Sequence, residues 1–210
     1  GGFPVMTGLL IPLLLGCIAL GLRGGGDLIF PDFPSSTVSS HNGQFLDSHS
    51  AALLHYGLGR RFVELAGIFL GAAVILVVGF LDDKHELRPA QKFFGQLLAA
   101  GIVAAAGTRI TLFVPSVVFS YAATILWILT VINAFNFMDN MNGLCSGLGA
   151  ISACYFGLIA AVDGQYLVGL LAFLICGALL GFLPYNFPKA SAFLGDAGSH
   201  LVGFLLAVLA

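Results

Sequence analysis

The chain is divided into apolar runs near 3–22, 62–81, 92–108, 116–137, 143–162 and 165–185, and a seventh opens near 197. Each run approaches the ~20 residues that a helix needs to cross the hydrocarbon of a bilayer. Backbone in hydrocarbon must satisfy its own hydrogen bonds, so runs of this length leave the helix as the spanning form. Charged residues make up only 9% of the chain and the mean hydropathy is +1.01, outside the range of a soluble domain of this size. The expected fold is therefore all-α, a polytopic transmembrane helical bundle with about seven spanning helices.

The first run lacks the basic start and small-residue cleavage site of a signal peptide, and others of its kind follow it. Residues 1–210 read as a single integral membrane domain without repeats or a low-complexity tract. Residues 23–61, with "PSSTVSSHNG", read as an extramembrane loop bearing one short helix around 49–57. A net charge of −2 supplies no basic surface for nucleic acid. Cys17, Cys145, Cys154 and Cys176 fall inside apolar runs without CxxC spacing and read as small buried hydrophobes.

Consecutive spanning helices alternate sides, so each connection can be assigned to one face. The N-terminal "GGFP", "LDDKHELRPAQK" (81–92), "FNFMDNMNG" (135–143) and "YNFPKASAFLGDAGSH" (185–200) share one face. Residues 23–61, 109–115 and 163–164 fall on the other, which has no comparable cluster of carboxylates, amides and glycines. The first face reads as the active one. Charge counting does not orient it, because Lys84, Arg88, Lys92 and Lys189 balance Arg23, Arg60, Arg61 and Arg109.

Asp82 and Asp83 end an apolar helix side by side. Adjacent carboxylates at a membrane boundary repel one another and resist desolvation, so they point to a bound cation or to chemistry, against the alternative of a solvated, ion-paired helix end. Lys92 and Gln96 follow Pro89 at i, i+4 spacing on one helix face; Lys92 either faces an anion or snorkels to the surface. At 100° per residue, Asn133, Asn136, Asp139, Asn140 and Gly143 lie within about 60° of Asn136, a polar stripe for a cavity or for interhelical amide bonds. Asp196 stands between Gly195 and Gly198 at the start of the last helix, as a plain N-cap or as a hard-cation ligand beside a phosphate. Asn186, between Pro184 and Pro188, either reads a polar ligand or caps the helix before it. Together these residues suggest Mg²⁺-assisted chemistry on phosphates at a membrane surface.

The strings "GFLDDKHELRPAQKFFGQLLAA", "NAFNFMDNMNGL" and "NFPKASAFLGDAGSHLVGFLLA", in that order, resemble the polyprenyl-phosphate N-acetylhexosamine-1-phosphate transferases, that is glycosyl transferase family 4, over residues 1 to about 22 and 75–210. "FLGDAGS" followed by "GFLLA" looks most like the undecaprenyl-phosphate N-acetylglucosamine-1-phosphate branch. The resemblance implies transfer of a sugar-1-phosphate from a UDP-sugar to undecaprenyl phosphate with release of UMP. That would be the first membrane step toward an envelope polymer such as lipopolysaccharide or teichoic acid. It implies Asp82, Asp83 and Asp139 as catalytic, Lys92, Asn136, Asn186 and Phe193 as substrate-binding, and Asp196 with Asp83 as ligands of Mg²⁺, for which Mn²⁺ could substitute. Asp82 would deprotonate or orient the lipid phosphate, and attack is either direct or through a covalent aspartyl intermediate. The implied partners are a UDP-N-acetylhexosamine, a polyprenyl phosphate and the lipid bilayer, with a homodimer compatible. The implied location is the bacterial inner membrane, with the site on the cytoplasmic face.

The motifs depart from the family's pattern where Asn140 replaces a glycine and Asn142 an acid, which removes a second carboxylate from that loop. The alternatives are a phospho-N-acetylmuramoyl-pentapeptide transferase and, in other classes, a cation-coupled transporter or an aspartate-rich prenyltransferase; the transporter would require repeats and the prenyltransferase a second aspartate-rich motif. The chain begins with Gly1 and ends about 14 residues into its last apolar run, short of the ~20 a span requires, so it is expected to be a fragment. The resemblance implies a histidine-bearing loop beyond the last motif, to which none of His41, His49, His55, His85 and His200 can be assigned.

Overall fold

The computed structural model describes residue 11 and residues 48–110 and 116–210, with side chains from residue 62 onward. The expected first span and most of the 23–61 loop lie outside the described residues. Within them the chain forms six helices: α1 (Ser48–His85), α2 (Pro89–Ala106), α3 (Val117–Met138), α4 (Leu144–Val162), α5 (Tyr166–Asn186) and α6 (Gly195–Leu209). No strand occurs among the described residues.

Helix starts and stops follow local chemistry. Pro89 opens α2, where its missing N–H costs nothing, and the Gln91 side chain accepts from the Arg88 N–H at 3.0 Å. Ser116 caps α3 by accepting from the Phe119 N–H at 3.4 Å. The short helix expected around 49–57 is instead the first part of α1, which runs unbroken into the apolar span. "AALLHYGLGRRF" contains no proline, so nothing in the backbone interrupts it.

Four helical segments, Phe62–His85, α3, α4 and α5, are long and apolar enough to cross a membrane. The chain is a multi-pass membrane helical bundle. Of the seven expected spans, these four meet that measure among the described residues; α2, at 18 residues, is made less apolar by Gln91, Lys92 and Gln96, and α6 is a shorter apolar helix of 15 residues.

The bundle is organised around α6. Every residue from Ala197 to Ala207 is buried, the polar Ser199 and His200 included, so this stretch of the helix is enclosed by protein. α1 and α3 press on it through glycines: a Cβ on Gly79 would stand 2.4 Å from Ala197 Cα, and one on Gly203 would stand 2.8 Å from Ile132 Cα. Such small contacts let backbones approach where no hydrophobic force distinguishes protein from lipid. α2 packs along α1, and α4 pairs with α5 across the tight Asp163–Gln165 turn. The connections 86–88, 139–143 and 187–194 consequently meet at one end, as the alternation of spans requires.

Candidate active site

The polar end of the bundle is assembled by contacts that cross between connections. Asp82 is buried at the last turn of α1, and the 86–88 turn wraps its carboxylate: Leu87 N–H donates to Oδ1 at 2.9 Å, and Glu86 takes a left-handed φ of +49° to allow it. Its Oδ2 pairs with Lys92 Nζ, one turn into α2. The same ammonium lies 3.4 Å from Asp196 Oδ2 on α6. Asp82 is thus the buried anchor of Lys92, and Lys92 bridges two carboxylates from different helices. The snorkelling alternative for Lys92 does not hold.

Asp83 does something no sequence rule indicated. Its two oxygens accept from the Asp196 N–H at 2.8 Å and the Ala197 N–H at 3.2 Å, so it caps the N-terminus of α6 from another helix. Asp196 is therefore not the cap. The residue preceding α6 is Leu194, which supplies no side-chain bond, and Asp196 sits in the first helical turn. Its side chain is free to reach across to α3, where Asn136 Nδ2 donates to Oδ1 at 2.6 Å. Ser199, also unremarked in the sequence, lies 3.1 Å from Asn136 Nδ2 and donates to Gly195 O at 2.8 Å.

Gly195 explains why this junction needs glycine. Its φ is +69°, and an added Cβ would lie 3.0 Å from both Asp83 oxygens. Its N–H donates to Asp139 Oδ2 at 2.9 Å, which ties the α3 terminus to the α6 terminus.

The polar stripe of α3 holds through Asn140 and then stops. Met138 is the last helical residue, Asp139 is the C-cap, and Gly143, at φ +73°, precedes α4 instead of continuing the stripe. Asn133, Asn136, Phe137, Asp139 and Asn140 face Asp83, Gly195 and Asp196 across an open cleft of ≈ 510 Å³. Asp139 Oδ1 is buried with no hydrogen-bond partner among the described residues. Burial pushes the Asp139 carboxyl up to about 6; the Gly195 N–H opposes the shift and the Asp196 charge adds to it.

Four predicted residues, Asp83, Asn136, Asp139 and Asp196, therefore share the cleft wall, and Lys92 and Asp82 stand behind Asp196. Asn186 does not join them. Its side chain is fully buried and its hydrogen bonds are spent inside the protein: Oδ1 accepts from Gly143 N–H at 2.9 Å and from Ser146 Oγ at 3.0 Å, and Nδ2 donates to Ala192 O at 2.9 Å. It staples the 187–194 connection to the start of α4 instead of reading a ligand, because a buried amide is costly unless paired. Phe193 is half exposed on that connection and is not part of the cleft wall.

Among the described residues no three His, Cys, Asp or Glu side chains converge as a metal cage. That suits Mg²⁺, which is ordinarily held by one or two carboxylates with substrate phosphates completing the shell. The donor set also fits. Three carboxylates, of Asp83, Asp139 and Asp196, line the cleft; Asp83 accepts from two N–H groups, and Asp139 Oδ1 is a hard oxygen without a partner among the described residues.

The glycosyl transferase family 4 model matches residues 65–210. The chain belongs to that family. It is 34% identical over 154 residues to the "Probable undecaprenyl-phosphate N-acetylglucosaminyl 1-phosphate transferase" of Bacillus subtilis, covering 70% of this chain and 43% of the relative. It is 37% identical over 171 residues to the "Decaprenyl-phosphate N-acetylglucosaminephosphotransferase" of Mycobacterium tuberculosis, covering 71% and 42%. Against the "Phospho-N-acetylmuramoyl-pentapeptide-transferase" of Geobacillus kaustophilus it is 34% identical over 173 residues, covering 73% and 52%. The chain thus spans about half the length of the curated relatives it matches. The family membership agrees with the three motifs, all of which lie within the matched residues.

Proposed function

We propose that this chain forms the catalytic face of an Mg²⁺-dependent phosphotransferase of the bacterial inner membrane, open to the cytoplasm. In this reading it moves N-acetylglucosamine 1-phosphate from its UDP donor to undecaprenyl phosphate and releases UMP. The observation that carries the reading is the cleft itself, where carboxylates from three helices meet one lysine at the polar end of a membrane bundle. The names of the relatives support the acceptor and sugar, with the pentapeptide-transferase relatives as the alternative donor specificity.

In the reaction an oxygen of the lipid phosphate attacks the sugar-bearing phosphorus of the donor, the pyrophosphate P–O bond breaks, and UMP leaves with the electron pair. Asp196 would hold the ion, with Asp139 Oδ1 facing the same space. When bound, Mg²⁺ would neutralise charge on the phosphate oxygens. Asp82 acts through Lys92, fixing its ammonium beside Asp196, where it can meet a phosphate oxygen. Asp83 holds the first turn of α6 in place and so sets where Asp196 stands. Asn136 orients the Asp196 carboxylate from the opposite wall.

Purified full-length protein in membranes, given radiolabelled UDP-GlcNAc or the UDP-N-acetylmuramoyl-pentapeptide with undecaprenyl phosphate and Mg²⁺, tests this reading. It predicts UMP and labelled lipid with UDP-GlcNAc. Labelled lipid only from the pentapeptide donor would move the chain to the alternative branch, and no product from either would defeat the proposal.

A further inference from the structure

Beside the cleft lies a polar layer that the proposed chemistry does not use, two of its members buried and the third, Asn133, on the cleft wall. Gln96 on α2 and His200 on α6 are each about 2% exposed, and their side-chain nitrogens lie 3.4 Å apart. Asn133 on α3 donates to Gln96 Oε1 at 2.8 Å and to Leu129 O at 2.8 Å. Each member is one helical turn from a residue of the site. Gln96 follows Lys92 by four, Asn133 precedes Asn136 by three, and His200 follows Asp196 by four.

The direction of every bond in this layer is fixed by its end. Leu129 O is a carbonyl and can only accept, so the Asn133 atom facing it is the amide nitrogen. That nitrogen also faces Gln96, which must present its oxygen. The Gln96 amide nitrogen is then left toward His200, so His200 Nε2 must accept and carries no proton. The imidazole is neutral with its proton on Nδ1, an atom buried without a partner among the described residues. An apolar side chain at 200 would avoid that unpaired group, so stability alone does not call for histidine in this helix.

We propose that Gln96, Asn133 and His200 form a positioning layer that sets the register of α2, α3 and α6, and thereby the spacing of Lys92, Asn136 and Asp196 beside it. His200 is its acceptor. The proposal deepens the transferase reading and rests on it for its kinetic test, but not for its spectroscopic one.

Replacing both partners of a buried hydrogen bond with apolar groups leaves stability nearly neutral. The Gln96→Leu/His200→Leu double variant of the full-length protein should therefore keep its apparent Tm in detergent while kcat/KM for UDP-GlcNAc falls at least about 10-fold, the worth of one well-placed bond. His200→Gln offers a neutral oxygen acceptor near the Nε2 position and should recover most of the activity that His200→Leu loses. Wild-type kcat/KM in the double variant, a fall matched by an equal collapse of Tm, or a His200→Gln variant as impaired as His200→Leu would each overturn the proposal. Independently of transfer, ¹⁵N NMR of histidine-labelled protein, assigned by comparison with His200→Leu, should show His200 unprotonated at Nε2 near neutral pH, with that state disturbed by Gln96→Leu. A proton on Nε2 in the wild type would contradict the assignment even if the enzyme proved inactive on these substrates.

Discussion

Gly195→Ala is the sharpest small perturbation available at the site. The residue holds φ +69°, and its new Cβ would sit 3.0 Å from both oxygens of Asp83. A left-handed backbone costs an L-residue about 1–2 kcal/mol. The carboxylate must also retreat by a few tenths of an ångström, which weakens its bonds to the Asp196 and Ala197 N–H groups, and hydrogen bonds to charged groups are worth ~1.5–3 kcal/mol each when intact. Losing part of that brings the local cost to about 2–4 kcal/mol. The consequence for rate adds to that for folding, because the same shift moves the first turn of α6 and Asp196 with it, and misplacement by ~1 Å can cost about 100-fold. The assay is kcat/KM for UMP release beside the apparent Tm, with Gly101→Ala as control, since a Cβ at that position meets nothing within 4 Å among the described residues. We expect Gly195→Ala to lose about 100-fold in kcat/KM with a drop in Tm of about 4–16 °C. Wild-type turnover, or loss shared equally by Gly101→Ala, would refute the reasoning.

Asp139, pushed up to about 6 by burial, favours its neutral form in the folded chain; that contribution to stability is complete below the ordinary carboxylate value of 3.8 and disappears as pH rises through 6. If the cleft needs its anion, kcat/KM should fall on acidification through pH ~6, and Asp139→Asn should lower the plateau and remove this acid limb; an unchanged limb in that variant would exclude Asp139 as its source. Asn186→Ala breaks three side-chain hydrogen bonds at a fully buried position and should destabilise by about 3 kcal/mol at ~1 kcal/mol each, read as a fall in Tm and in urea midpoint; a neutral result would return Asn186 to the list of ligand-reading residues. Single cysteines at Glu86 and Ser191 should react with an impermeant thiol reagent from one side and one at Asp163 from the other, in a background without native cysteines. Labelling of all three from the same side would break the shared-face topology.

The apolar runs made most of the helix ends legible. The runs near 116–137, 143–162 and 165–185 and the helices 117–138, 144–162 and 166–186 agree within a residue at each end, because hydrocarbon length and polar punctuation both act locally in sequence. The continuity of α1 back to Ser48 was not legible, since polar composition in "SHSAALLHYGLGRR" suggested a loop while nothing in it forbids a helix. At the site, the residue types were readable but their division of labour was not. Asp196 read as either a cap or a hard-cation ligand, and Asp83 as a catalytic carboxylate and its fellow ligand; the structure gives the cap of α6 to Asp83, and a cap supplied from another helix leaves no trace in spacing. Asn186 shows the same limit from the other side. Its flanking prolines marked a backbone break, but whether its amide faces ligand or protein depends on Gly143 and Ser146, some forty residues earlier in the chain.

The central claim is that Asp196 binds the ion through which this cleft handles phosphates, and its most direct measurement is the Mg²⁺ titration of UMP release from UDP-GlcNAc and undecaprenyl phosphate, run on the wild type and on Asp196→Ala. Loss of a hard oxygen ligand should shift the Mg²⁺ requirement to higher concentration and cut the rate at saturation by about 100-fold or more, with Asp196→Asn intermediate in its Mg²⁺ requirement. An Asp196→Ala variant that follows the wild-type Mg²⁺ curve at a comparable rate would contradict the account.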